Sequence, residues 1–284
     1  MMAAPDLVVQ HPRLGDAAVA AFAARLGAPP VRREPALARW RQAGAVAAPE
    51  VARIADAQAV DAALVAPDAR LADYRLLAFD MDSTLITIEC VDEIADYAGR
   101  KPEVAAITEA AMRGEIRDYD ESLRRRVALL AGLDVAVLDR VYAERLRLSP
   151  GARELVGAAQ RAGLATLLVS GGFTYFTGRL KAELGLDYTR SNTLEVVDGK
   201  LTGQVLGTIV NADGKALALR ETCRALGVAP SQAIAIGDGA NDLKMMAQAG
   251  ISIAYHAKPV VREQTTWAIN HCGLEAVLNL LPDD

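Results

Sequence analysis

The stretch LLAFDMDSTLITIE, Leu76 to Glu89, holds the densest chemistry in the chain. A run of core-type residues ends in Asp80 and Asp82, one residue apart and followed by Ser83 and Thr84. Glu89 follows nine residues after the first aspartate. Side chains on an extended segment alternate, so the two carboxylates share a side while Met81 turns toward the core. Two adjacent carboxylates repel unless a cation lies between them or one keeps its proton. Asp238 and Asp242, in GDGAND, add two more acids. An oxygen-only ligand set of this kind suits Mg²⁺, which keeps several waters and bridges to phosphate. Neither His nor Cys occurs in these motifs, which disfavours zinc.

A second group of residues suits an anion. In SGGF, Ser170 offers a hydroxyl, and Gly171 and Gly172 let the backbone approach a ligand closely. A helix predicted from Phe173 would present free N–H groups and a positive dipole end there. Lys215, predicted to open a later helix, adds a fixed positive charge. Mg²⁺, Lys215, Ser170 and a helix N-terminus together describe a phosphoryl pocket, where charge on the transferring oxygens is stabilised. A carboxylate inside such a pocket can act as nucleophile and form an aspartyl phosphate. Its neighbour can protonate the leaving oxygen and then take a proton from water.

These groups must be carried to one place. Leu76–Phe79, Ala165–Val169 and Ala233–Ile236 read as short buried strands, and each ends at polar residues. Helices are predicted at Gly151–Ala162, Phe173–Leu184, Lys215–Leu226 and Asp242–Ala249, with further strands at Ile251–Ala254 and Thr266–Ile269. TLEVVDGKLTGQV reads as a hairpin turning at Asp198-Gly199. This alternation predicts an α/β fold with a doubly wound, mostly parallel sheet, whose ligands bind beyond the carboxyl ends of the strands. Residues from Glu89 to about Pro150 read as helical throughout, punctuated by Gly99, Gly114 and Gly132 as helix ends. They predict a small helical cap inserted at about 89–150. Residues 1–72 read as an N-terminal accessory segment of unknown role ahead of a core at 73–284. In that segment DLVVQ suggests a strand, Ala17–Leu26 a helix, and Pro49 to Val65 one helix with apolar positions at Val51, Ile54, Ala55, Val60 and Leu64.

The bulk properties narrow the function. The chain has 284 residues, 52% apolar and 24% charged, an ordinary globular balance. A net charge of −5 argues against a nucleic-acid or anionic-membrane surface. Three cysteines without paired spacing make a disulfide framework or structural zinc unexpected. The start, MMAAPDLVVQHPR, lacks a basic region before an apolar stretch, and no apolar run approaches a membrane span. The expectation is a soluble cytoplasmic protein with a small-molecule substrate and no nucleic-acid or membrane partner; oligomeric state is left open.

In order, DMDST, SGG, Lys215 and GDGAND resemble the four motifs of the haloacid dehalogenase superfamily. DMDSTLITIECVDEIA, AMRGEI, SLRRRV, VSGGF, GKLTGQV and GDGANDL…GISIAYHAKP resemble more closely its phosphoserine-hydrolysing branch, from about Leu76 to about Leu281. The resemblance implies a Mg²⁺-dependent release of serine and phosphate from phosphoserine, the last step of serine biosynthesis. It implies Asp80 as nucleophile and metal ligand, and Asp82 as acid/base with its backbone carbonyl on the metal. Asp238 would complete the ligand set, with Asn241 and Asp242 near it. Ser170, Gly171 and Lys215 would hold phosphate, Glu89 the ammonium group and Arg126 the carboxylate. A free amino acid carries one charge of each sign, so an acid and a fork-shaped base make chemical sense. Two positions depart from the family's habit: Met81 and Tyr119 both stand where phenylalanine is frequent.

Taken singly, each motif has a plainer reading. Asp80 and Asp82 fit a turn after a strand, SGGF a strand-to-helix loop, and GDGAND a polar turn. Lys215 fits a solvated helix position, Glu89 an acid favoured by a helix dipole, and His256 a loop residue. Two other functions stay open from the residues alone: hydrolysis of another small phosphate ester, and a phosphate- or Mg²⁺-binding domain without turnover.

Overall fold

The computed structural model describes residues 4–44, 46–112, 115–116 and 118–282. Arg113 and Gly114, which include the helix end expected at Gly114 and part of AMRGEI, lie outside the described residues. Strands β1 (Asp6–Gln10), β2 (Arg32–Glu34), β3 (Leu37–Trp40) and β4 (Asp61–Val65) form an antiparallel sheet in the order β2-β3-β1-β4. Helices α1 (Asp16–Leu26) and α2 (Ala48–Gln58) cover one face. The strands alternate as a two-sided sheet must. Leu7, Val9, Ala38 and Trp40 meet Phe22, Val51 and Ile54 on the helix side. Val8, Leu37, Ala63 and Val65 join the main core on the other.

The single helix expected from Pro49 to Val65 is two elements. Ala59 takes a left-handed conformation with φ 50°, and the amides of Ala59 and Val60 bond back to Asp56 and Ala55. This is the closing turn usually made by glycine. Val60 and Leu64 therefore leave the helix, and β4 pairs with β1 in a register running from Asp6↔Val65 to Gln10↔Asp61. A free sheet edge outweighs the helical periodicity.

The larger sheet has seven strands in the order β11-β10-β9-β5-β6-β7-β8. These are β5 (Leu76–Phe79), β6 (Ala165–Phe173), β7 (Tyr188–Val197), β8 (Lys200–Leu206), β9 (Ala233–Gly237), β10 (Ile251–Tyr255) and β11 (Trp267–Ile269). Every pairing is parallel except β7 with β8. Leu77 and Phe79 point into one apolar layer, Leu76 and Ala78 into the other, so the doubly wound α/β expectation holds. From β5 the chain builds to one side through β6 and to the other through β9. That reversal opens a crevice at the carboxyl end of β5.

Helices α3 (Cys90–Tyr97), α4 (Lys101–Met112), α5 (Tyr119–Ala128) and α6 (Ala136–Arg140) are the expected insertion, followed by α7 (Ala152–Arg161). The hairpin turns at Asp198-Gly199, with φ 50° and 74°. It braces the insertion: Gly132 N donates to Leu201 O, Leu201 N to Leu133 O, and Val135 N to Gly199 O, each at 2.8 Å. The remaining helices are α8 (Thr174–Leu184), α9 (Ala212–Leu226), α10 (Leu243–Met246), α11 (Pro259–Arg262) and α12 (Ala276–Leu280). Lys215 sits one turn inside α9 rather than opening it, because Asn211 caps the helix. Among the described residues no helix is long and apolar enough to cross a membrane.

The first sheet is fastened to the second through Asp61. Its buried carboxylate accepts backbone N–H bonds from Asn270 (2.6 Å), His271 (3.1 Å) and Cys272 (2.9 Å), just past β11. Trp267 Nε1 donates to Leu64 O at 3.0 Å alongside. Asp61→Ala strips three charge-assisted bonds from one loop and is expected to cost on the order of 3 kcal/mol in urea unfolding. Amide exchange should speed up at Asn270–Cys272 before the rest of the sheet. A loss below about 0.5 kcal/mol contradicts this role for Asp61.

Candidate active site

Beyond the carboxyl end of β5 lies a cleft of about 670 Å³. Its floor comes from the ends of β5, β6 and β9, and its roof from α3–α5. Asp80 and Asp82 both line it, while Met81 between them is fully buried. Ser83 then takes a left-handed conformation, φ 55°, unusual for a non-glycine residue. That turn lets Ser83 Oγ donate to Glu89 Oε1 (2.8 Å) and Thr84 Oγ1 donate to Asp238 Oδ1 (3.2 Å). It also brings the amide of Cys90 to Asp82 Oδ1 at 2.9 Å, and Ser170 Oγ donates to the other oxygen at 3.4 Å.

Lys215 lies beneath the floor with its side chain 1% exposed. Its Nζ stands 2.6 Å from Asp80 Oδ1 and 2.7 Å from Asp242 Oδ1. Burial works against the ammonium, but Asp242 and Asp80 together hold its pKa above the ordinary range. Both oxygens of Asp242 are engaged, the second by the Gly239 amide at 3.1 Å. Ser170 is fully buried as well, and its hydroxyl also accepts the Gly172 amide at 2.7 Å. The two serve the floor from below, whereas Gly171, Asp238 and Asn241 line the cleft itself.

The carboxylates crowd one another. Burial first, then Asp242, raises Asp80 well above the ordinary carboxyl range. Burial raises Asp82 too, opposed by the Cys90 amide. Burial and Asp242 push Asp238 up to about 6. Oxygens of Asp80, Asp238 and Asp242 lie within 4.8 Å of one another. Asp80 Oδ1 is buried without an aligned hydrogen bond despite the nearby ammonium. Four carboxylates thus share one buried cation, and every donor is oxygen. That set fits a hard divalent ion such as Mg²⁺.

The roof brings side chains of both charges to the cleft. Of the three adjacent arginines only Arg126 lines the cleft; Arg124 and Arg125 are exposed, and Arg125 pairs with Glu121. Glu89 faces the cleft at the start of α3. Water reaches it from the mouth, yet loss of hydration against the walls, with Asp82 adding repulsion, pushes it up to about 8. His256 lies outside the cleft, its Nε2 3.0 Å from Cys272 O, and the cysteines are free and buried. All nine predicted site residues therefore surround or underlie one cleft. Sequence reasoning missed the Cys90 amide, the Asp242–Lys215 bond and the Ser83–Glu89 bond. Only the Ser-Thr pair directly after Asp82 hinted at them.

Glu89 gives a test of this electrostatic picture. Its folded pKa of about 8 exceeds the ordinary 4.5, so its stabilising contribution is full below 4.5 and is lost as pH rises through about 8. In metal-free protein, Glu89→Gln keeps the shape without the charge. Its melting temperature should gain on the parent from about pH 5 to about pH 9 and show no gain near pH 4. A constant offset, or a variant that falls further behind as pH rises, contradicts the reading.

Comparison with known proteins agrees with this geometry. Residues 77–247 match the family of haloacid dehalogenase-like hydrolases. A phosphoserine phosphatase of Polaromonas sp. is 64% identical over 219 residues, 76% of this chain and 93% of that protein. One from Albidiferax ferrireducens is 59% identical over 219 residues, 76% of this chain and 92% of its own. The crystal structure of a probable phosphoserine phosphatase from Vibrio cholerae superposes with TM-score 0.83 at 38% identity, covering 98% of this chain and 86% of that one. The last match covers nearly the whole chain, the N-terminal sheet included. Motifs, cleft and relatives agree, and the chain belongs to the haloacid dehalogenase-like hydrolases and, among them, to the phosphoserine phosphatases.

Proposed function

We propose that the enzyme converts L-phosphoserine to L-serine and phosphate through a phosphorylated Asp80, using Mg²⁺, as the last step of serine biosynthesis. The observation that carries the substrate is the pairing of Glu89 and Arg126 over Asp80 in one cleft. A monoester with no amino acid attached needs neither group. Phosphoserine needs both, an acid for its ammonium and a fork for its carboxylate.

Asp80 attacks phosphorus, and its bond to phosphorus forms as the bond to the serine oxygen breaks. Asp82, held by the Cys90 amide and the Ser170 hydroxyl, gives its proton to that oxygen. Serine leaves, and Asp82 takes a proton from the water that hydrolyses the acyl phosphate, freeing Asp80. Lys215 and the Gly171 backbone hold phosphoryl charge, and Asn241 completes the wall beside them. Asp80, Asp238 and the Asp82 main-chain carbonyl would hold Mg²⁺, which when bound neutralises the carboxylates and the phosphoryl oxygens. Three free, buried cysteines suit a reducing compartment, and we infer a cytoplasmic enzyme. Residues 1–72 are read as an accessory module seated on a 73–284 core whose cap spans about 89–150.

Phosphate release from phosphoserine, phosphothreonine, phosphoethanolamine and a sugar phosphate tests the proposal. Phosphoserine should lead, with activity abolished by EDTA and by Asp80→Asn. Arg126→Ala should cut phosphoserine turnover on the order of 10–100-fold, the worth of a charged hydrogen-bonding partner. Comparable turnover of all four esters would remove the substrate assignment. Full activity in EDTA would remove the metal.

A further inference from the structure

We infer that the hydroxyl of Tyr119 is a specificity-determining donor that bonds the carboxylate of the bound amino-acid phosphate alongside Arg126; this rests on the substrate reading above. Tyr119 is the first residue of α5, and the Asp118 side chain fixes that turn by accepting the Asp120 amide at 3.0 Å. Asp120 is tied in turn to the start of α9, where Asn211 Nδ2 donates to its Oδ1 at 2.9 Å. The ring is thereby held where it stands. Its hydroxyl presses on the glycine loop: a Cβ added at Gly171 would lie 2.0 Å from Tyr119 Oη.

An apolar ring would be enough to wall the cleft there. The oxygen is extra, and among the described residues it has no hydrogen-bond partner. Tyr119 and Arg126 are seven residues apart, two helical turns, so both project from one face of α5 into the cleft. Arg126 is lightly held, by one 3.4 Å contact from its Nε to Ser122 O. Among the described residues that line the cleft, Arg126 is the one cation. A neutral donor on the same helix face supplies the second anchor that a planar carboxylate can use.

The test compares the parent with Tyr119→Phe, which removes one atom. The comparison uses phosphoserine and phosphoethanolamine, which keeps the ammonium and phosphate but lacks the carboxylate. The variant should lose about tenfold in kcat/KM on phosphoserine, mostly through KM, and stay within about twofold on phosphoethanolamine. In Arg126→Ala the further Tyr119→Phe change should cost less than it does alone, since both act on one carboxylate. An unchanged phosphoserine KM overturns the inference. So do equal losses on both substrates, which would assign the hydroxyl to the phosphoryl group or to packing. A parent that shows no preference for phosphoserine removes the substrate reading, and this inference with it. A selective parent with an unaffected phenylalanine variant removes only this inference.

Discussion

The Lys215 ammonium, buried between Asp80 and Asp242, is the constraint on which the active site depends. A buried ammonium is costly unless its partners are close and themselves satisfied. Meeting that condition fixes three elements at once: the end of β5 through Asp80, the loop after β9 through Asp242 and the Gly239 amide, and α9 through the lysine itself. The trio also leaves a surplus of negative charge at the floor, because Asp82 and Asp238 crowd in without cations of their own. A surplus of this kind favours a hard cation, then a phosphoryl group to share it. Stability and chemistry thus draw on the same few ångströms.

Recognition is organised separately. The cap contributes Glu89 from the start of α3 and Arg126 from α5, and the β7–β8 hairpin braces the far end of α5 against the sheet. The link from Asp120 to Asn211 joins the near end of α5 to the helix that carries Lys215. Glu89 and Arg126 in the roof are therefore positioned relative to Lys215 and the floor by short, directional contacts as well as by cap packing. The N-terminal sheet touches neither set. It meets the core through an apolar layer that includes Val8 and Val65, and through Asp61 at the opposite edge of the strand order from the hairpin.

Much of this was legible in the sequence because strand burial and strand-end chemistry coincide. Leu76–Phe79 is apolar on both faces and stops at Asp80, so both the sheet's centre and the first carboxylate of the cleft follow from one short run. Six of the nine predicted site residues converge for the same reason: three strands end in polar groups, and parallel strands end on one side. What escaped depends on backbone conformation that residue types do not announce. Ala59 closes a helix in the left-handed region without glycine to mark it, so α2 and β4 read as one helix. Ser83 is also left-handed without glycine to mark it, and that turn brings the Cys90 amide to the Asp82 carboxylate. The Ser170 hydroxyl also serves Asp82 and Gly172 from beneath the floor, contacts that its residue type alone does not announce.

The central claim is that Asp80 receives the phosphoryl group. The direct measurement is to quench the enzyme in acid during turnover of phosphoserine, reduce it with borohydride, and map the peptide that contains Asp80 by mass spectrometry. Reduction of an acyl phosphate converts the aspartate to homoserine. The account predicts that change at Asp80, dependent on phosphoserine and absent when the substrate is withheld. Turnover that leaves Asp80 unmodified while another residue carries the label, or while no residue does, would contradict it.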